Sequence, residues 1–367
     1  MKKEIASLEL YYIVKEFQEL IGGKFDRIYQ DCEDFYFSIF ITSKGKKILK
    51  VMPNTIYLTD YKPESQAGGF CSFLRRRLSN ARIVEIKQHE FERILEIKIQ
   101  AKEQKYFLII ELFNIGNIIL CDENKKIISP FKNKSWSSRT IRGGIQYEYP
   151  PVQSNILDMG FEQFVDIVNL NNDKEIVKII AKELSLGSIY AEEVCFISDI
   201  DKNKKGLCKN DLIKVFDNIK KMLNKKIEAV YYEKKKETVP FVLESIGKPD
   251  KEFKNYNEAL DEIVTEKIFK EKNEEFVKEQ KNKENKIQNL LRIQEDNLKK
   301  IEADYTENNR KGELIYEHFQ EIDSLLKDIH ELRKKHGWNE IKKIISRKYK
   351  IVKDTINNEG KIVLELE

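Results

Sequence analysis

The sequence predicts an α+β protein: a strand-rich head, a helical module, and a long helical arm followed by shorter helices. Three observations carry this. Between residues 24 and 122 apolar residues recur with period two over about seven runs, framed by two helices. Between 160 and 225 the period becomes helical, with a glycine-containing turn in the middle. From 257 to about 308 the chain is almost unbroken helix formers with apolar residues at four-three spacing. The segments implied are 1–152, 153–226, 227–256, 257–310 and 311–367.

At 367 residues the chain exceeds the roughly 100–200 residues of one domain. It is 41% hydrophobic, enough for a core, and 35% charged, above the usual ~25%, as a long solvated helix would give. The 66 basic and 62 acidic residues nearly cancel to a net charge of +4, so nucleic-acid binding has to be argued from local clusters. Cys32, Cys71, Cys121, Cys195 and Cys208 form no C-x-x-C pair, and reduced thiols in a cytoplasmic protein are the simpler reading. His89, His318, His330 and His336 match no metal spacing, and neither a metal nor a cofactor is expected. Glu4, Glu9 and Glu16 interrupt any signal-peptide core, and no run approaches the ~20 apolar residues of a membrane span.

Residues 4–21 read as an amphipathic helix with Ile5, Leu8, Tyr12, Val14, Phe17, Leu20 and Ile21 on one broad face, ended by Gly22-Gly23. Glu9 lies off the centre of that face, which by position alone makes it a solvated carboxylate. Four short strands follow, within 24–30, 35–42, 47–52 and 55–58. A helical turn carrying Arg75, Arg76 and Arg77 precedes the runs 82–87, 95–100, 106–112 and 117–122, which place basic chemistry at one edge of a strand-rich core of two packed sheets. Glu92 and Arg93 sit where one of these strands begins. In the irregular stretch 131–151, Lys132, Lys134, Arg139 and Arg142 surround Trp136 before Gly143-Gly144. Cations interleaved with an aromatic suit phosphate contact with base or ribose stacking; a basic loop whose tryptophan packs back on the sheet is the equal alternative.

The helical module carries Leu184 to Val194, a short helix, a glycine turn and a second helix, the pattern of a helix-hairpin-helix that turns backbone N–H groups towards phosphate. Any αα-hairpin shares that pattern. Residues 227–245 read as a small hairpin packing on the head. On the arm, Ile287, Leu291, Gln294, Leu298, Ile301 and Tyr305 form one seam and Ile315, Phe319, Ile322, Leu326 and Ile329 another, separated at Arg310-Lys311-Gly312. The arm's charges are a solvated face. Residues 361–366 alternate as a strand.

Several motifs, in this order, resemble one family: Leu74-Arg75-Arg76-Arg77-Leu78; Gln88 with Phe91-Glu92-Arg93-Ile94; Glu111-Leu112-Phe113 with Gly116-Asn117-Ile118-Ile119-Leu120; and Tyr147 to Pro150. Gly187 with Tyr190-Ala191-Glu192-Glu193, Asn255 to Asp261, Lys311 to Ile315 and Trp338 to Ile341 continue the series. The chain resembles NFACT proteins, the ribosome quality-control factors of the RqcH and NEMF kind, in a form closer to archaeal and eukaryotic than bacterial members. The resemblance implies an N-terminal domain like that of formamidopyrimidine-type DNA glycosylases, a helix-hairpin-helix domain and a coiled-coil arm with a helical tip.

It also implies a factor that binds the large ribosomal subunit holding a stranded peptidyl-tRNA. Such a factor recruits tRNA, alanyl-tRNA in bacteria and archaea, for untemplated C-terminal tailing, while the ribosome makes the peptide bond. The family's acidic residue in the first helix matches Glu9, and its Asp-Arg pair for tRNA recruitment matches Glu92 and Arg93. Both acids are Glu where the family usually has Asp, which moves each carboxylate by about an ångström. In this role Glu9 orients Arg93 or accepts hydrogen bonds from a base, while arginines meet the backbone. Family members continue into a returning arm and a further RNA-binding domain. The chain is therefore expected to be a truncated form or a natural half-protein whose bare seam pairs with a second copy.

Three other readings stand beside this one. Base excision in the matching fold uses an N-terminal proline amine beside a glutamate, and this chain begins Met1-Lys2-Lys3-Glu4 without a zinc-finger cysteine pattern. An adhesin that binds fibronectin finds no secretory support. A coiled-coil scaffold whose head docks proteins fits the charge balance.

Overall fold

Helix α1 (Ser7–Phe17) is covered on two sides. Leu10, Ile13 and Phe17, spaced i, i+3, i+7, enter a core shared with the sheet, whereas Leu8 and Tyr12, spaced i, i+4, enter a core shared with the helical module. The single broad face expected from the sequence is thus two faces, and Ser7 and Glu9 are buried between them. The computed structural model describes residues 4–63, 68–136, 139–151, 155–356 and 361–366, and divides into two compact units, Met1–Glu271 and Lys272–Glu367.

The first unit is built on one antiparallel sheet. Its strands are β1 (Lys24–Asp31), β2 (Asp34–Ile41), β3 (Gly45–Met52), β4 (Thr55–Thr59), β5 (Arg82–Gln88), β6 (Ile94–Ala101), β7 (Gln104–Glu111), β8 (Asn117–Asp122) and β9 (Ile127–Pro130). They run in the order β4-β3-β2-β1-β5-β6-β7-β8-β9. One sheet of nine strands replaces the two packed sheets expected. The halves meet where Lys24 stands opposite Arg82, backed by Phe25 N–H to the Ala81 carbonyl and Ile83 N–H to that of Gly23. Phe37, Ile39 and Leu49 from one half and Ile83, Ile97 and Leu108 from the other share a single core with α1 and α2 (Gly69–Leu78). Both layers that the sequence asked for contribute to that core, but hydrogen bonds join them. At the start of β8, Gly116 has φ +63°, and a Cβ there would stand 2.3 Å from the Pro53 carbonyl oxygen, so only glycine fits.

A two-residue ladder, β10 (Lys134–Ser135) with β11 (Thr140–Ile141), closes the sheet-bearing segment. The helical module follows: α3 (Phe161–Leu170), α4 (Ile176–Lys178) running into a π-turn (Ile179–Glu183), α5 (Ser188–Ile197) and α6 (Lys209–Leu223). The hairpin β12 (Val230–Tyr232) and β13 (Glu237–Val239), with β14 (Lys251–Glu252), buries Val230, Tyr232 and Val239 in the same core as Leu8 and Tyr12. The Tyr12 hydroxyl donates to the Met222 carbonyl at 2.6 Å, tying α1 to α6.

Helix α7 (Tyr256–Glu317) starts on α1: the Glu16 carboxylate accepts the backbone N–H groups of Tyr256 and Asn257 at 2.7 and 2.9 Å, capping the new helix. It runs straight through Gly312, whose cost of about 1 kcal/mol in a helix interior does not end it. Ile287, Leu291, Leu298, Ile301 and Tyr305 are all more than half exposed.

In the second unit α8 (Phe319–Leu332), α9 (Trp338–Lys348) and the hairpin β15 (Val352–Ile356) with β16 (Lys361–Leu364) enclose Leu325, Ile329, Ile341, Ile345 and Tyr349. The second expected seam therefore splits. Ile322 and Ile329 are buried, while Ile315, Phe319 and Leu326 stay exposed. Leu325 replaces Leu326 because a tip core reached from one side selects an i, i+3, i+7 stripe. Among the described residues no helix is long and apolar enough to cross a membrane.

Candidate nucleic-acid interface

Three segments of the first unit converge on a groove of about 590 Å³: the start of α1, the turn between β5 and β6, and the turn that opens α5. Glu9 lies at its base, 1% exposed, so the solvated carboxylate expected from helical position is a buried one. It occupies the third position of α1 and accepts the Ala6 backbone N–H at 2.9 Å through Oε2, half of a capping box. Its Oε1 accepts the Tyr190 hydroxyl at 2.6 Å. Tyr190 is wholly buried on α5, and burial first, then the charge of Glu9, pushes its phenol far above the usual range. Gly187 permits this approach: its φ is +89°, and a Cβ there would lie 3.2 Å from the Ala6 Cβ.

The Phe91-Glu92-Arg93-Ile94 motif is held at both ends. Phe91 is buried in the helical core beside Tyr11, and Ile94 is buried with Ile109, Ile119 and Tyr147. Glu92 and Arg93, between these anchors, remain half-buried at the groove. The Gln88 amide donates to the carbonyls of Ser7 at 2.9 Å and Glu92 at 2.8 Å, strapping the turn to α1. Arg93 Nη1 donates to Glu4 Oε2 at 2.5 Å. Glu9, Glu92 and Arg93 are thus brought to one groove.

Beneath the turn sits Glu96, 1% exposed, 3.2 Å from His89 Nδ1 and accepting from the Tyr149 hydroxyl at 2.7 Å and Lys125 Nζ at 3.2 Å. The His89 ring stacks on Tyr149 with centroids 3.5 Å apart. Burial opposes the charge of Glu96, but His89, Tyr149 and Lys125 outweigh it and bring its pKa down to about 2. The folded value lies below the unfolded ~4.3, so this carboxylate adds stability above about pH 4.3 and loses it as pH falls towards about 2. Thermal melts across that window should show a falling Tm in the parent and a flatter profile in Glu96→Gln.

The basic residues divide into three groups. Arg75 donates its Nε to the Ile28 carbonyl at 2.6 Å and lies over the Tyr29 ring. Lys132 is held by the Ile115 carbonyl and Glu33 at 2.9 and 2.8 Å. Arg76, Arg77, Lys134 and Arg142 are exposed. Trp136 is 39% exposed, with the Arg139 guanidinium 5.0 Å from its ring centre. Arg139 leaves the expected RNA-facing set: it is 9% exposed, and its Nη1 donates to buried Glu111 at 2.7 Å, where the Tyr147 hydroxyl also donates at 2.8 Å. No cluster of His, Cys, Asp or Glu among the described residues is arranged to hold a metal ion.

Neither the Glu4–Arg93 pair nor the Tyr190–Glu9 bond has a signature in the sequence. Glu4 carries no local signal. Tyr190 lay inside a matched motif, but its pairing with a residue 181 positions away is a tertiary fact.

The family model described as NFACT N-terminal and middle domains matches residues 7–359. The chain belongs to the NFACT family. It is 29% identical to the archaeal Rqc2 homolog aRqcH of Methanocaldococcus jannaschii, over 100% of this chain and 59% of that protein. It is 22% identical to the ribosome quality control complex subunit NEMF of Homo sapiens, over 94% of this chain and 36% of that protein. The chain therefore spans less than two thirds of the length of either relative. Among solved structures, the N-terminal part of the fibronectin/fibrinogen-binding protein from Streptococcus suis aligns with a TM-score of 0.60 at 21% identity, covering 72% of this chain and 100% of that one. The fibrinogen binding protein from Staphylococcus aureus aligns at 0.59 and 22% identity, covering 70% of this chain and 97% of that one. These two share the fold of this NFACT chain.

Proposed function

We propose that this NFACT chain is a ribosome quality-control factor that binds the large ribosomal subunit carrying a stranded peptidyl-tRNA. There it recruits tRNA, alanyl-tRNA first, for untemplated C-terminal tailing. The ribosome makes the peptide bond, and this chain contributes binding and position. The observation that supports this is the groove in which Glu9, Glu92 and Arg93, the residues matching the family's tRNA-recruiting positions, meet the glycine turn before α5. In this reading Arg93 exchanges its exposed Glu4 partner for an RNA phosphate, a pairing with comparable geometry and the same single negative charge. The hairpin before α5 acts as a helix-hairpin-helix, and Arg76, Arg77, Lys134, Trp136 and Arg142 extend the RNA contact outside the groove. The relatives' names, archaeal Rqc2 homolog and ribosome quality control complex subunit, agree with it.

The test is binding to deacylated tRNA and to large subunits at two salt concentrations, with Arg93→Ala beside the parent. Arg93→Ala should weaken tRNA binding about tenfold and reduce the salt slope by about one ion. Equal binding by parent and variant would remove Arg93 from the interface. A second reading, a scaffold that docks proteins or a second copy along its arm, is favoured by the exposed Leu291, Leu298 and Ile301 on α7. Ribosome binding without tRNA binding would support it.

A further inference from the structure

The head carries a second feature, away from the groove residues. Phe70, Phe73 and Arg77 stand at i, i+3 and i+7 on α2, next to the fully buried stripe of Cys71, Leu74 and Leu78. The Arg77 guanidinium lies 4.9 Å from the centre of the Phe73 ring. Phe73 stacks on Phe70 at 6.2 Å with 20° between ring planes, and Phe70 meets Phe131 at 5.6 Å. Lys132 Nζ lies 5.5 Å from the centre of Phe131. This row joins two basic segments distant in the chain, one around Arg77 and one around Lys132.

The row is rigid. Phe35, fully buried, supports both Phe70 at 5.8 Å and Phe131 at 4.9 Å. The buried Asn117 side chain accepts the Lys132 N–H and donates to the Lys132 carbonyl, both at 2.9 Å, fixing the loop to β8. All three ring residues of the row remain partly exposed.

We infer that Phe70, Phe73 and Phe131 form a stacking platform for RNA with unpaired bases, its backbone held by Arg76, Arg77 and Lys134. Fixed rings offer π-faces to any base at small ordering cost, and exposed cations beside them follow the phosphates. A duplex, whose bases are already stacked, gains only the phosphate part of this. A protein partner with an apolar segment would use the rings but not the cations, so the charge beside the row favours RNA. The surface lies outside the groove, and its test uses a different variant and a different probe.

The experiment is fluorescence anisotropy of the full chain with an unstructured oligoadenylate and with a duplex RNA of equal length, at two salt concentrations. The variants are Phe73→Leu, Phe73→Trp and Arg93→Ala. Phe73 is chosen because its ring packs on Phe70 and Arg77 rather than on the buried Phe35, and leucine keeps apolar bulk. Phe73→Leu should weaken oligoadenylate binding about tenfold, leave duplex binding within about twofold, and keep the parent Tm; Phe73→Trp should restore affinity. Arg93→Ala should leave oligoadenylate binding unchanged while weakening tRNA, so that failure of the groove and failure of the platform are separate results. Equal oligoadenylate affinity in Phe73→Leu and parent, or a parent preference for duplex, would overturn the platform.

Discussion

Arg139→Ala is expected to destabilise the first unit by about 3–5 kcal/mol, the cost of leaving a buried charge without its partner. Glu111 is 3% exposed, and its Oε1 is shared by Arg139 and Tyr147. With the guanidinium gone, one phenol remains to face a carboxylate inside the apolar cluster that Ile94, Ile109, Ile119 and Ile141 form. A domain with a total stability of about 5–15 kcal/mol would feel this as a large loss of Tm in thermal melts followed by circular dichroism. Replacing both partners, as Glu111→Leu with Arg139→Leu, should recover most of the loss, because no unpaired charge is then buried. If Arg139 instead faced RNA, the single variant would keep its Tm and lose RNA affinity; that result would restore the reading drawn from composition alone.

Arg139 marks where the sequence stops being legible. Its neighbours in the chain, Lys134, Trp136 and Arg142, read as a basic loop, and those three are exposed. What separates Arg139 from them is Glu111, on a strand 28 residues earlier, and no periodicity reports such a pairing. The strands from β1 to β8 were legible because alternation records which face is buried, and the register follows from that face. The joining of the two halves was not, because it rests on backbone bonds around Lys24 and Arg82 that any side chain would permit. The same limit applies to α1. Helical phase separates apolar from polar positions, but it cannot say that two cores approach the helix from different sides. The Phe91-Glu92-Arg93-Ile94 motif opens a strand, β6, as the alternation after it predicts. Its anchoring by Phe91 and by Gln88 became visible only when α1 and the helical core were in place.

Glu9→Ala should cost about 3 kcal/mol, and this result decides how the groove is held. Two donors lose their acceptor together: the Ala6 N–H at the start of α1 and the hydroxyl of the wholly buried Tyr190. An orphaned buried donor is worth roughly 1–3 kcal/mol; the wholly buried Tyr190 hydroxyl bears that cost in full, and the half-buried Ala6 N–H at the groove adds the smaller part. Because Glu9 joins the first helix to α5, the loss should appear as loosening of the helical module, read by faster amide exchange in Ser188–Ile197 as well as by a lower Tm. Glu9→Gln separates structure from charge. Its amide oxygen can accept from Ala6 while its NH₂ donates to the Tyr190 oxygen, so the fold is retained with the negative charge removed. Unchanged tRNA binding by Glu9→Gln at parental Tm would make Glu9 a clamp that positions the groove. Weakened binding at parental Tm would make the charge itself part of recognition. A parental Tm in Glu9→Ala would refute the clamp, since a buried carboxylate bridging two elements cannot be removed without cost if the bridge exists.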